Sequence, residues 1–282
     1  MFRSLLFIPG NNPSMIQNAD VYLSDGIIFD LEDSVDINEK DNARNLVRNY
    51  LSEGHTNPSL VVLRINPIDT PFFENDIELI VTKKINYILL PKTSMDALNI
   101  LNDYLTQLEQ KYDLEKTKVI ALVESAQSII QINKIAKNAR VEAILLGAED
   151  LCNDLEIDRT NKGTEILFAR SKVVYACASN NIISIDTPNV YIENEEFLRT
   201  DCLNAKNIGM KAKSAIHPNQ LESINKIFSP TQKEIDWAKR VLEAVETNPG
   251  KGAFSLGGKM IDKPIVLKAT KIIDKAKKYN LL

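Results

Sequence analysis

KTKVIALVES at residues 116–125 and VEAILLGAED at residues 141–150 decide the fold. Each is a short apolar run closing on carboxylates, Glu124 in the first and Glu149-Asp150 in the second. Both are apolar on two faces, as expected of strands covered by helices on one side and packed into a barrel on the other. Between them, Ser125–Asn138 reads as an amphipathic helix. The same alternation extends in both directions. Strands are expected at Leu5–Pro9, Gly26–Leu31, Val61–Ile65, Tyr87–Pro91, Lys118–Glu124, Ala143–Gly147, Ile182–Thr187 and Lys213–Ile216, the last carrying the weakest signal. Further amphipathic stretches are Ser14–Leu23, Glu39–Leu51, Met95–Tyr112 and Glu165–Asn180. Eight alternations predict an α/β fold, a closed (β/α)8 TIM barrel, with an open doubly wound sheet as the alternative. The 282 residues suit one such barrel.

Beyond the eighth strand the pattern changes. Thr231–Glu246 reads as a helix opened by a capping box, Thr231 with Glu234. NPGKGAFSLGGKM follows, and Gly250, Gly252, Gly257 and Gly258 put four of the chain's ten glycines in it, as a mobile loop requires. A final helix is expected from Lys263 to about Tyr279. The expected division is a barrel at 1–228 and, at 229–282, C-terminal helices with a Gly-rich lid loop.

Hydrophobic residues are 44% and charged residues 26%, ordinary for a soluble globular chain, and the net charge is −4. No concentrated basic face suggests a nucleic-acid partner. Cys152, Cys177 and Cys202 are odd in number, widely spaced and without a CxxC, so they read as free thiols. The N-terminal apolar run is too short for a signal peptide, and no stretch reaches membrane-spanning length. The expectation is a cytoplasmic protein with no membrane association.

A parallel barrel gathers the C-terminal ends of its strands at one mouth. Here those ends carry Asn11, Asp30-Leu31-Glu32-Asp33, Arg64, Lys92, Glu124, Asp150, Asp186 and His217. Glu124 and Asp150 follow neighbouring strands about 4.8 Å apart, so both can reach one ion, and oxygen donors few in number suit Mg2+. Each also fits a helix start. Arg64, inside VVLRINP, is either an anchor for a substrate carboxylate or enolate, or a salt-bridge partner of Asp30, Glu32 or Asp33. Glu32 and Asp33 also fit a solvated helix-start cluster. Lys92 suits an anion or a neighbouring acid. His217 reads as structural, His55 as irrelevant, and Asp262 as the N-cap of the last helix. GxGxxG, Walker A and HExxH motifs are absent, which leaves metal-assisted chemistry on a small anion.

The segments RSLLFIPGNNPSM, IIFDLEDSV, VVLRINPIDTP, ILLPKT, ALVESA, LLGAEDLCNDLEIDRTNKGTEILFARSKVV, FSPTQKEIDWAKRV and GAFSLGGKMIDKPIV span nearly the whole chain. Through them the sequence resembles the citrate lyase β subunit family and the wider aldolase superfamily of malyl-CoA and citramalyl-CoA lyases. The resemblance implies a homotrimeric barrel with Mg2+ on Glu124 and Asp150. It implies Arg64 at the substrate's carbonyl and carboxylate groups, and Asp262 as a proton donor carried to a neighbouring subunit's mouth. The implied reaction cleaves a citryl thioester to oxaloacetate and acetyl thioester, with Glu32 or Asp33 holding the water that takes the hydroxyl proton. The thioester carrier is CoA or an acyl carrier protein, with a CoA-transferase subunit as a further partner. Arg3, Asn11 and Lys92 are candidates for holding the CoA or carrier arm. IHPNQ at 216–220 and DTPNVYIEN at 186–194 depart from the citrate lyase pattern. They leave open a stand-alone citramalyl-CoA or malyl-CoA lyase or thioesterase. An aldolase of free 2-keto acids and a non-catalytic structural subunit are further alternatives.

Overall fold

The computed structural model describes residues 2–53, 60–160, 162–248 and 252–282; His55 and Gly250 lie outside them. In order, the elements are β1 (Ser4–Pro9), α1 (Pro13–Gln17), β2 (Gly26–Asp30), α2 (Lys40–Ser52), β3 (Leu60–Arg64), α3 (Phe73–Ile77), β4 (Tyr87–Leu90), α4 (Met95–Tyr112) and β5 (Lys118–Val123). There follow α5 (Ala126–Ile135), β6 (Val141–Leu146), α6 (Ala148–Asp154), α7 (Leu167–Asn180), β7 (Ile183–Asp186), α8 (Glu195–Ile208), β8 (Ala212–Ala215) and α9 (Leu221–Phe228). The chain ends in α10 (Gln232–Glu246), β9 (Ala253–Leu256), β10 (Lys259–Asp262) and α11 (Lys263–Lys278). It forms two compact units, residues 1–225 and 226–282.

In the first unit, β1 to β8 close in sequence order into an all-parallel barrel, β1 pairing with β8. All eight expected strands are present. The interior is filled rather than hollow: Leu5, Ile28, Val62, Leu89, Ile120, Leu122, Leu145 and Ile185 form one cluster. Between β1 and β2 the expected ten-residue helix is a short α1, closed at Asn18, and a separate 3-10 turn at Ala19–Val21. Asparagine bonds to nearby backbone and suits a helix end better than its interior.

The second unit is built on α10 and α11 packed around Ala238, Val241, Ile261 and Ala269. The capping box stands as expected, Thr231 Oγ1 accepting from the Glu234 amide and Glu234 from the Thr231 amide. β9 and β10 form an antiparallel hairpin turned at Gly257 (φ 57°) and Gly258 (φ 78°). A two-residue turn of this hand requires positive φ at both positions, which glycine adopts without strain. Among the described residues no helix is long and apolar enough to cross a membrane.

Candidate active site

The β2–β3 side of the barrel mouth is organised by Arg64. The register sets Asp30 directly beside it. Arg64 is only 8% exposed. Its Nε and Nη2 donate to the two oxygens of Asp30, each at 2.6 Å. Its Nη1 donates to Asp33 Oδ2 at 2.9 Å and stands 2.9 Å from Glu32 Oε2. The salt-bridge reading of Arg64 is therefore realised with all three acids. One Nη2 hydrogen of the five donors stays unused by these bonds, and the side chain still lines the mouth. Asp30 also accepts from the Glu32 and Ser34 amides and the Ser34 hydroxyl. Burial pushes the Asp30 carboxyl up, but Arg64 and these bonds outweigh it and hold it below the usual range. Glu32, buried with no such set of donors, is raised to about 7 by burial and, against the pull of Arg64, by Asp33 and Asp30. Lys40 fixes this loop from beneath, its Nζ donating to the carbonyls of Leu31 and Glu32 at 2.8 and 2.7 Å.

The β5–β6 side differs. Val123 and Leu146 are the last paired residues, so Glu124 and Gly147 emerge side by side. The helix start after Glu124 is capped by Ser125 and Ser128 in a reciprocal box, which excludes the capping reading of Glu124. Glu124 instead accepts from the Lys92 amide at 2.6 Å. Lys92 reaches that place with φ 46°, a left-handed conformation that costs a side-chain-bearing residue energy. A Cβ at position 147 would lie 2.7 Å from Glu124 Cβ and 2.9 Å from its Oε2, so only glycine admits the carboxylate. Asp150 stands in the first turn of α6, as its helix-start reading required, and is exposed. Burial raises the Glu124 carboxyl to about 8; the Lys92 amide opposes this, while Asp150 and Glu32 add to it.

Glu124 and Asp150 both face a cavity of about 360 Å3, walled by Phe7, Leu122, Leu145, Thr187 and Ile216 among others. Both also line a polar groove of about 320 Å3 with Lys92, Ser94, Ser125, Gln131 and Asn153. The cavity wall carries Asp30, Asp33, Glu124, Glu149 and Asp150 against the single guanidinium of Arg64. Arg64 answers Asp30 and Asp33, and Arg159 lies 3.1 Å from Glu149. Glu124 and Asp150 have no ion-pair partner among the described residues. No group of three or more metal-ligating His, Cys, Asp or Glu side chains occurs among the described residues either. A buried carboxyl that retains its proton to about pH 8 beside a second carboxylate has the chemistry of an oxygen-donor cation site.

The remaining candidates separate. Lys92 lies on the groove, exposed. Arg3 does not join the mouth. It precedes β1, at the opposite end of the strands, where its guanidinium holds Asp25 at 2.6 and 2.9 Å. A strand of six residues separates it from the C-terminal face. Asn11 follows β1 at the mouth end, half-buried, but the cap of α1 is its neighbour Asn12, which accepts from the Met15 amide. His217 Nδ1 accepts from the Asn219 amide at 3.2 Å, a structural bond. Asp262 belongs to the second unit, where it ends β10 and caps α11 by accepting from the Ile265 amide at 3.2 Å.

A buried charge network that no sequence pattern announces joins α7, β7, α8 and β8. Lys213 Nζ, fully buried, donates to Asp186, Asp201 and the Thr187 carbonyl at 2.6, 2.7 and 2.7 Å. Arg170 binds the same two aspartates. A lysine and an arginine spaced to meet two aspartates across α7, β7, α8 and β8 leave no local pattern to read.

Fold and mouth together define a (β/α)8 barrel whose strand ends gather carboxylates around one guanidinium. Residues 3–218 match the family described as HpcH/HpaI aldolase/citrate lyase, and the chain belongs to that family. It is thus a carbon–carbon lyase. It is 38% identical to the citrate lyase subunit beta of Haemophilus influenzae, over 98% of this chain and 97% of that one. It is 36% identical to the citrate lyase subunit beta of Leuconostoc mesenteroides subsp. cremoris, over 99% and 95%. Among solved structures it is similar to the CitE protein of Mycobacterium tuberculosis in complex with magnesium, acetoacetate and coenzyme A. That similarity has a TM-score of 0.79 at 27% identity, covering 98% of both chains.

Proposed function

We propose that the protein cleaves a citryl thioester to oxaloacetate and an acetyl thioester, with Mg2+ held by Glu124 and Asp150. The observation that carries this reading is the pair of uncompensated carboxylates at the mouth. It occurs in a chain similar along its whole length to citrate lyase beta subunits. Magnesium, when bound, supplies a Lewis acid that polarises the oxygen of the substrate alcohol and nascent ketone.

The chain's own residues account for the rest. Arg64 is immobilised by Asp30 and offers its remaining Nη2 hydrogen to the enolate oxygen that forms as the carbon–carbon bond breaks. Glu32, titrating near 7, is suited to accept the proton released by the hydroxyl, with Asp33 beside it on the same guanidinium. Phe7, Leu122, Leu145 and Ile216 exclude water from the enolate. Asp262, reaching a neighbouring subunit's mouth in a homotrimer, protonates the carbon. Asparagine caps a helix as well as aspartate, so Asp262→Asn leaves α11 started while removing the acid. The expected result is loss of turnover with substrate affinity within about threefold of wild type; equal loss of both removes Asp262 from this role.

The deciding experiment is product formation from citryl-CoA and citramalyl-CoA in parallel, with and without Mg2+. Oxaloacetate from citryl-CoA, lost on chelation, supports the proposal. Pyruvate and acetyl-CoA from citramalyl-CoA alone assign the protein to the stand-alone lyases. Activity on neither CoA ester, but on a citryl-loaded acyl carrier protein with a CoA-transferase subunit present, places it in a multi-subunit citrate lyase.

A further inference from the structure

Asp150 is held by a helix of seven residues whose N-cap, Gly147, has no side chain to offer the first turn. The exposed first-turn amides of such a helix need acceptors from elsewhere. Two come from the neighbouring strands. The Gly147 amide donates to the Val123 carbonyl of β5 at 3.0 Å. The Ala148 amide donates to Thr187 Oγ1, just past β7, at 3.2 Å. Thr187 is 39 residues away in sequence and fully buried.

Thr187 is itself immobilised. Its carbonyl accepts from Lys213 Nζ at 2.7 Å. The other two ammonium protons go to Asp186 and Asp201, so all three donors of Lys213 are used and its position is over-determined. The preceding carbonyl, that of Asp186, accepts from the Ser214 hydroxyl at 3.0 Å. The sealed network therefore fixes the backbone at 186–187, and the Thr187 hydroxyl transmits that position to the first turn of α6. Two residues further along that turn stands Asp150.

We propose that Thr187 is a positioning residue for the cation site: its hydroxyl clamps the start of α6 and thereby sets where Asp150 stands relative to Glu124. The inference rests on the reading that these two carboxylates hold Mg2+. Losing an outer partner that orients a ligand typically weakens metal binding about 10–100-fold, and this clamp acts through one turn of backbone, which puts the expectation at about tenfold.

The test is titration of the metal-free protein with Mg2+ alone by calorimetry, beside thermal melting of the same samples. Thr187→Val keeps the shape and removes the acceptor, whereas Thr187→Ser keeps the hydroxyl. The expected result is Mg2+ affinity about tenfold weaker in Thr187→Val and within about threefold of wild type in Thr187→Ser, with both melting alike. Thr187→Ala, which cannot crowd its surroundings, carries the same expectation should the valine variant fail to fold. Wild-type affinity in the valine or alanine variant overturns the inference while leaving the magnesium reading intact. Equal weakening in the serine and valine variants also overturns it, since the hydroxyl would then not be what matters. Absence of Mg2+ binding in the wild type overturns the magnesium reading and this inference with it.

Discussion

Two clusters of basic and acidic side chains in the same barrel end in opposite states. Below the mouth, Arg170 and Lys213 face Asp186 and Asp201, two cations against two anions, almost fully buried. At the mouth, the single guanidinium of Arg64 faces a wall of five carboxylates, with Glu32 a sixth beside its Nη1 and Arg159 paired with Glu149. The balanced cluster holds both Asp201 and Lys213 in their charged forms, against the cost of burial. The unbalanced one leaves Glu124 and Glu32 protonated into the neutral range. The balanced cluster is structural; the deficit of positive charge at the mouth is what the proposed Mg2+ would offset.

The largest expected effect comes from unbalancing the sealed cluster. Lys213→Met strips two buried aspartates of a partner, and breaking a buried pair costs about 3–5 kcal/mol. Urea unfolding at pH 7 measures it, and a loss below about 1 kcal/mol would refute the contrast. Next, Glu124→Gln and Asp150→Asn each remove a carboxylate from the deficit. Mg2+ affinity falls at least about a hundredfold, beyond the usual penalty for an outer partner. Metal-free Glu124→Gln is expected to melt above wild type at pH 8, because a repelled buried charge has gone.

The third prediction concerns pH. Glu124 and Glu32 are raised to about 8 and about 7 from 4.5, so the folded protein binds these protons more tightly than the unfolded chain. The stability they contribute is complete below about pH 4.5 and is lost as pH rises through 7 and 8. Metal-free protein should therefore melt progressively lower between pH 5 and 8.5, and saturating Mg2+ should flatten the slope. A metal-free melting temperature independent of pH over that range would show the deficit to be absent. The smallest effect is expected at the far end of the barrel. Arg3→Gln removes the guanidinium's ion pair with Asp25 and should change stability by about 1 kcal/mol or less, leaving Mg2+ binding untouched.

The strands were legible wherever burial is apolar. IALV and AILL announce themselves, and all eight runs became strands of the barrel. AKSA in β8 was the faintest because Lys213 and Ser214 are fully buried there, their polarity satisfied by residues far away in sequence. At the mouth, Arg64, Glu32 and Asp33 were legible as polar residues at the ends of apolar runs, and the structure brings them together on one guanidinium. Asp30 was visible only as one of three salt-bridge candidates, yet it takes both principal bonds of Arg64. The register, which no local pattern encodes, decides that choice. Thr187 and Lys40 act through backbone groups of other segments, so nothing in their own neighbourhoods distinguishes them. Arg3 meets Asp25 ahead of β1, a pairing that its proximity to strand one does not announce.

The reciprocal Ser125–Ser128 box has a consequence for descent. It starts α5 whatever residue stands at 124. A lineage carrying this barrel can therefore exchange Glu124 in one mutational step without losing the start of α5, giving up only the acceptor for the Lys92 amide. Ligand and scaffold are separately heritable here, and the chemistry of the mouth is free to drift faster than the frame around it.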